Sequence, residues 1–157
     1  MMSLKAELSI ALQNKILLES MALSDVFSLT EGPFEGRNTD VLRHQLEPYL
    51  LHTVNTQHWF SYYVPAGYEI KVNLYRSCEE TSRILARLYP QLLGRSRESV
   101  TNLEDICFFQ NGKLFLGTVS HEYICYAYPP NNKFHDVLMN ICPWDVVDDA
   151  LDEQIIL

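Results

Sequence analysis

The run Cys107-Phe108-Phe109-Gln110-Asn111-Gly112-Lys113-Leu114-Phe115-Leu116 sets Asn-Gly between two apolar stretches. Asn and Gly tolerate the positive φ that both central residues of a tight hairpin turn need, so the run predicts two antiparallel strands. The implied pairing puts Gln110 beside Lys113 and Phe108 beside Phe115. After Val119 the chain turns near Ser120-His121 and enters Tyr123 to Tyr128, making a three-stranded meander that Pro129-Pro130 stops.

Working towards the N-terminus, His58 to Val64 is aromatic and β-branched and reads as a strand. Pro65-Ala66-Gly67 turns the chain into Ile70, Val72 and Leu74, which alternate with Lys71, Asn73 and Tyr75 in the manner of a half-buried strand. These two segments predict a second antiparallel hairpin. Between hairpin and meander, Ser77-Cys78-Glu79-Glu80 reads as a capping box. The helix it opens turns Ile84, Leu85, Leu88 and Leu92 inward and Arg83, Arg87, Arg95 and Arg97 outward, and Pro90 and Gly94 mark its end.

Ser3 is placed to cap a first helix running to about Ser24, with Leu4, Leu8, Ala11, Leu12 and Ile16 on one face. Thr30 to Gly36 is a loop by its Gly and Pro content, and a second helix follows from about Thr39 to Leu50, disturbed by Pro48. Beyond the meander, Asn131 or Asn132 caps a helix with Phe134, Val137, Leu138 and Ile141 at i, i+3, i+4 and i+7, which Pro143 ends. Short connections between consecutive strands imply antiparallel pairing. The expectation is a single α+β domain over 1–157: a mainly antiparallel sheet of about five strands, hairpin plus meander, with helices packed on one face.

The 157 residues suffice for one core without staples, and 47% hydrophobic content with nine Tyr, seven Phe and two Trp is that of a folded protein. No apolar run is long enough to span a bilayer. The N-terminal apolar residues are interrupted by Glu7, Gln13, Asn14 and Lys15, unlike a signal peptide. Cys78, Cys107, Cys125 and Cys142 form no C-x-x-C pair, which fits reduced cysteines in a cytoplasmic protein.

Net charge is −8, yet residues 71–97 carry +4 while 129–157 carry −5. The stretch 143–157 holds Asp145, Asp148, Asp149, Asp152 and Glu153 with no Lys or Arg, on a frame of Val147, Ala150, Leu151 and Ile155. At helical spacing this is a short acidic amphipathic segment, docked on its own domain or offered to a basic partner. The outward arginines are the one basic surface and suit the acidic segment of the same chain or of a second copy, as in a homodimer. Such a balance argues against nucleic acid, whose binding needs cations against phosphate, and favours a basic protein.

In size, acidity and layout the whole chain resembles the small immunity proteins that bacteria make against secreted nuclease toxins. The likeness rests on no diagnostic motif and carries over no family residue. It implies a non-catalytic, cytoplasmic inhibitor that neutralises a basic toxin domain through acidic and aromatic side chains. Matched by residue type, the contact set is Asp145, Asp148, Asp149, Asp152 and Glu153 with the sheet tyrosines Tyr123 and Tyr126.

Two other readings stand beside it: a small acidic secretion chaperone or adaptor with an apolar groove, and a small-substrate enzyme built around Ser120, His121 and Glu122. No phosphate-binding Gly motif, nucleophile elbow or His-x-x-x-His pair is present. A zinc site from Cys107, Cys125, His58 and His121 would lack the closely paired ligands that such sites use, so no metal and no cofactor is expected. The aromatic set Trp59, Phe60, Tyr62, Tyr63, Tyr75, Tyr123, Tyr126 and Tyr128 suits protein contact better than base stacking, since only Lys71 and Lys113 lie among it.

Overall fold

A computed structural model describes residues 1–5, 7–32, 40–94, 101–147, 155 and 157. In chain order the elements are β1 (Met2–Leu4), α1 (Ile10–Leu23), β2 (Val26–Glu31), α2 (Val41–Leu46), β3 (Leu50–Thr56), β4 (His58–Trp59), β5 (Tyr62–Tyr63) and β6 (Ile70–Arg76). Then come α3 (Glu79–Leu88), β7 (Leu103–Gln110), β8 (Lys113–Val119), β9 (Ile124–Ala127), α4 (Asn132–Ile141) and β10 (Trp144–Val146). Single 3-10 turns occupy Glu47–Tyr49 and Ser120–Glu122.

The α+β class and the antiparallel sheet agree with the sequence, but the sheet has eight strands rather than about five, in the order β10-β1-β9-β8-β7-β2-β6-β3. Every neighbouring pair in it is antiparallel. The meander β7-β8-β9 forms as expected around Asn111 and Gly112, at φ 51° and 75°. Gln110 does face Lys113, whereas Phe108 faces Leu116: Phe115 is an extra residue in a bulge, its ring still 6.3 Å from that of Phe108.

The second hairpin is a correction. His58 to Tyr63 folds on itself as the two-stranded β4-β5, and β6 pairs instead with β2 and with β3. Residues 50–56 end the predicted second helix early, because Pro48 sits in a 3-10 turn after which the chain extends. At the N-terminus Met2–Leu4 is a strand between β9 and β10, and the helix starts later, with Ser9 Oγ accepting from Leu12 N–H. The α3 cap is Cys78 with Thr81, one residue beyond the expected box, the Cys78 N–H donating to Thr81 Oγ1 at 2.9 Å. Asn131 caps α4 as predicted, its Oδ1 accepting from Phe134 N–H at 2.9 Å.

Strand alternation sends alternate side chains to opposite faces of the sheet. On the helix side, Phe27, Leu29, Tyr75, Ile106 and Phe108 join Ile16, Leu17 and Met21 of α1, Leu42 and Leu46 of α2, Leu85 of α3 and Leu138 of α4 in one buried cluster. On the other side a smaller cluster of Val72, Leu74, Cys107, Phe109 and Leu114 is roofed by Trp59, Phe60 and Tyr62 of the β4-β5 hairpin. The hairpin lies close because Gly117 has no side chain: a Cβ there would stand 2.6 Å from the Phe60 ring. Phe60 holds a left-handed φ of 48° in the two-residue turn that joins β4 to β5.

A hub at the margin of the helix side ties four elements together. Glu31 Oε1 accepts from Arg43 Nη1 at 2.7 Å, Lys71 Nζ at 3.0 Å and Asn73 Nδ2 at 3.2 Å, and Asn73 Oδ1 accepts from Thr53 Oγ1. Burial pushes the Glu31 carboxyl up, but the hydrogen bonds from Arg43, Lys71 and Asn73 outweigh it and bring the pKa to about 2.

Candidate functional site

Of the expected contact set, Asp145, Tyr123 and Tyr126 lie among the described residues; Asp145 and Tyr126 both stand opposite Ser3 of β1, while Tyr123 turns inward. Asp145 lies in β10, a strand rather than a helix, because Pro143 and the pairing of Trp144 with Leu4 extend the chain here. Its carboxylate is exposed and bridged by Lys5 Nζ at 2.8 Å. Asp148, Asp149, Asp152 and Glu153 lie outside the described residues. Both flanks of that stretch are held by the domain. The Val147 N–H donates to Met1 C=O at 3.0 Å, Leu114 N–H to Ile155 C=O at 3.0 Å, and Leu157 N–H to Gly112 C=O at 2.8 Å. Ile155 also packs on the smaller cluster. The segment is therefore docked at both ends.

The two tyrosines part ways. Tyr123, in the left-handed conformation at φ 60°, lays its ring over Gly94 and accepts the Leu8 N–H on its hydroxyl, so it works inside the molecule. Tyr126 is half-buried on the other side of the sheet, its ring 6.0 Å from that of Phe60. The aromatics that do face solvent are Tyr63, 76% exposed and stacked on His58, and Tyr68, 69% exposed. Tyr63 lies in the hairpin that follows Thr56 of β3, and Tyr68 stands two residues before Ile70, which pairs with Thr56.

β3 itself is the end strand of the sheet, and among the described residues nothing pairs its outer edge. Leu50-Leu51-His52-Thr53-Val54-Asn55-Thr56 carries no charge, and Leu50 and Leu51 stand 42% and 56% exposed. Natural edge strands are usually short or charged, because open N–H and C=O groups invite another strand. The opposite edge, β10, follows that rule with three residues and Asp145. Sequence periodicity could not flag β3, whose leucines also fit the end of a helix.

The Ser120, His121 and Glu122 cluster occupies a 3-10 turn after β8. Ser120 is fully buried, and its N–H and Oγ–H both donate to Asp105 Oδ1 at 2.7 Å. His121 and Glu122 are exposed with 3.8 Å between Nε2 and Oε1. The partner of Ser120 is the Asp105 carboxylate rather than the imidazole, and sequence spacing did not single it out. Tyr62 stands over this polar end of the sheet, where burial first and then the Asp105 charge raise its pKa. All four cysteines are free, and Cys107, Cys125 and Cys142 are buried. Burial pushes the Cys107 thiol up to about 12, which leaves it a poor nucleophile or metal ligand.

Among the described residues no helix is long and apolar enough to cross a membrane. Comparison with protein families, with characterised proteins and with solved structures finds no match to this chain.

Proposed function

We propose that this chain is a non-catalytic binding protein of the cytoplasm that captures a basic protein, in the way an immunity protein neutralises a toxin. The observation that carries the reading is the open, uncharged edge of β3 beside exposed Tyr63 and Tyr68, with Glu47 and Glu69 exposed around it. Such an edge offers main-chain hydrogen bonds to an added strand, while aromatic side chains supply area at low entropic cost. The charge balance selects the partner. Arg43 and Lys71 are drawn onto Glu31, so the rest of the molecule is one charge more negative than its total of −8. A field of that sign speeds encounter with a cationic surface and rejects acidic ones.

The exposed Leu50 and Leu51 favour an adaptor or secretion chaperone as the second reading. Affinity capture from cells that encode the chain, at low and at high salt, separates the two. A basic partner lost between 50 mM and 500 mM salt supports the inhibitor, and one retained supports the adaptor. His52→Lys, which charges an exposed position in the middle of the edge, is expected to weaken either complex by at least about tenfold. Binding indifferent to that variant places the interface elsewhere and overturns the reading, as does association of the chain only with itself.

A further inference from the structure

Far from the β3 edge, β8 changes neighbours partway along its length. From Leu116 to Val119 it pairs with β9, and the Tyr128 N–H still donates to Phe115 C=O at 2.8 Å. Pro129 and Pro130 follow, and neither has an N–H with which to continue the ladder. The chain's own distal residues take over on that side of β8. Leu114 N–H donates to Ile155 C=O at 3.0 Å, and Leu157 N–H donates to Gly112 C=O at 2.8 Å. The direction is antiparallel: as β8 advances from Gly112 to Leu114, its partner runs back from Leu157 to Ile155. Ile155 packs on the smaller cluster, beside Phe109 and Leu114, which are 0% and 1% exposed.

This arrangement is strand addition performed within one chain, main-chain hydrogen bonds plus an aliphatic side chain on an apolar floor. The added piece is held more lightly than what receives it. β9 pairs with β8 at four positions, whereas Ile155 and Leu157 hold by two bonds, and Leu157 is 48% exposed. A contact of that size opens by local unfolding while the fold persists. The receiving edge stays built when it opens. The Asn111 N–H donates to Asp25 Oδ2 at 2.8 Å, which fixes the turn, and Leu114 is held opposite Phe109 of β7. The occupant seated there also defines the chemistry that fits: an extended segment with an aliphatic side chain in the place of Ile155.

We propose that the β8 edge from Gly112 to Leu114 accepts an extended aliphatic peptide, and that Ile155 and Leu157 are the autoinhibitory strap this peptide displaces. A tethered strap competes at an effective concentration of about millimolar, so the parent chain presents a nearly closed site. The probe is a fluorescein-labelled peptide with the sequence of residues 152–157, Asp-Glu-Gln-Ile-Ile-Leu, titrated into the full chain and into its Ile155→Asp variant. One saturable site is expected on the variant, with binding to the parent at least about tenfold weaker. A peptide with Asp in place of its first Ile should bind neither chain. Hydrogen exchange on the parent gives a reading that needs no variant. The Leu157 amide should exchange at least about tenfold faster than the Tyr128 amide, its neighbour along the same side of β8. The proposal is overturned by no saturable binding to the variant, by equal affinity for both chains, by undiminished binding of the Asp peptide, or by equal exchange of the two amides. A parent dimer that Ile155→Asp abolishes would assign the edge to a second copy and overturn it as well.

Discussion

The two faces of the sheet are built to different standards. Among the described residues, twenty-four buried on the helix side form one cluster under four helices. The opposite side has seven, beneath a hairpin of two-residue strands. Burial of apolar area drives folding at roughly 25 cal/mol per Å2, so the first face supplies most of the stability. The second face holds the left-handed Phe60 and Asp105. Such backbone strain is affordable where the other face has already fixed the fold.

Removing one large side chain from each face breaks the comparison if the faces are in fact equal. Phe108 is fully buried on the helix side, so Phe108→Ala should cost about 3–5 kcal/mol by urea unfolding. Trp59→Ala removes a larger ring from the hairpin, 7% exposed and 6.1 Å from the Phe109 ring. Its loss should release the hairpin locally, costing the global transition only about 1–2 kcal/mol while amides of residues 58–63 exchange faster. Equal global losses would mean that the hairpin belongs to the same cooperative unit as the helices.

What the sequence disclosed follows the same division. The meander was legible because Asn111-Gly112 and the apolar runs beside it are local signals. β2 does alternate, as Phe27-Ser28-Leu29-Thr30, but over only four residues that run into the Gly- and Pro-containing stretch after Thr30, and β3 shows no alternation because its residues are mostly exposed. Strands of three residues, such as β1 and β10, carry too little pattern to read and exist because each completes its neighbour's hydrogen bonds. The site was harder still. Tyr123 is drawn inward by Gly94, twenty-nine positions away in sequence, and Asp105 meets Ser120 only because a bulge turns it there. Neither juxtaposition leaves a trace in spacing. The acidic segment was readable as composition, while its docking depends on Met1, Gly112 and Leu114.

The polar rim of the helix side gives a middle-sized effect with a definite pH signature. The Glu31 carboxyl falls from an ordinary 4.5 to about 2 on folding, so its contribution is fully present above pH 4.5 and disappears as pH drops towards 2. With allowance for solvent screening of a side chain 20% exposed, that contribution is about 2 kcal/mol. Glu31→Gln should therefore be less stable than the parent at pH 6, with the gap closing as urea midpoints are followed down to pH 2.5. A gap that stays constant with pH would show that the hub acts through shape and hydrogen bonding, not through charge.

The smallest effect tests how loosely the second face is roofed. A Cβ at Gly117 would stand 2.6 Å from Cε2 and 2.8 Å from Cζ of Phe60, so Gly117→Ala cannot be accommodated with both groups in place. Overpacking inside a rigid core costs typically 1–3 kcal/mol. Here the obstructing atoms are the far edge of a ring on a two-stranded hairpin, which can swing away without displacing the helices. The expected cost is accordingly near the lower limit, about 1 kcal/mol. Nuclear magnetic resonance should show ring-current changes at Phe60 and Tyr126 and unchanged shifts at Leu17 and Leu138 on the helix side. A cost of 3 kcal/mol or more, with shifts spreading to the helices, would mean that the hairpin cannot move independently and that the two faces are one rigid body.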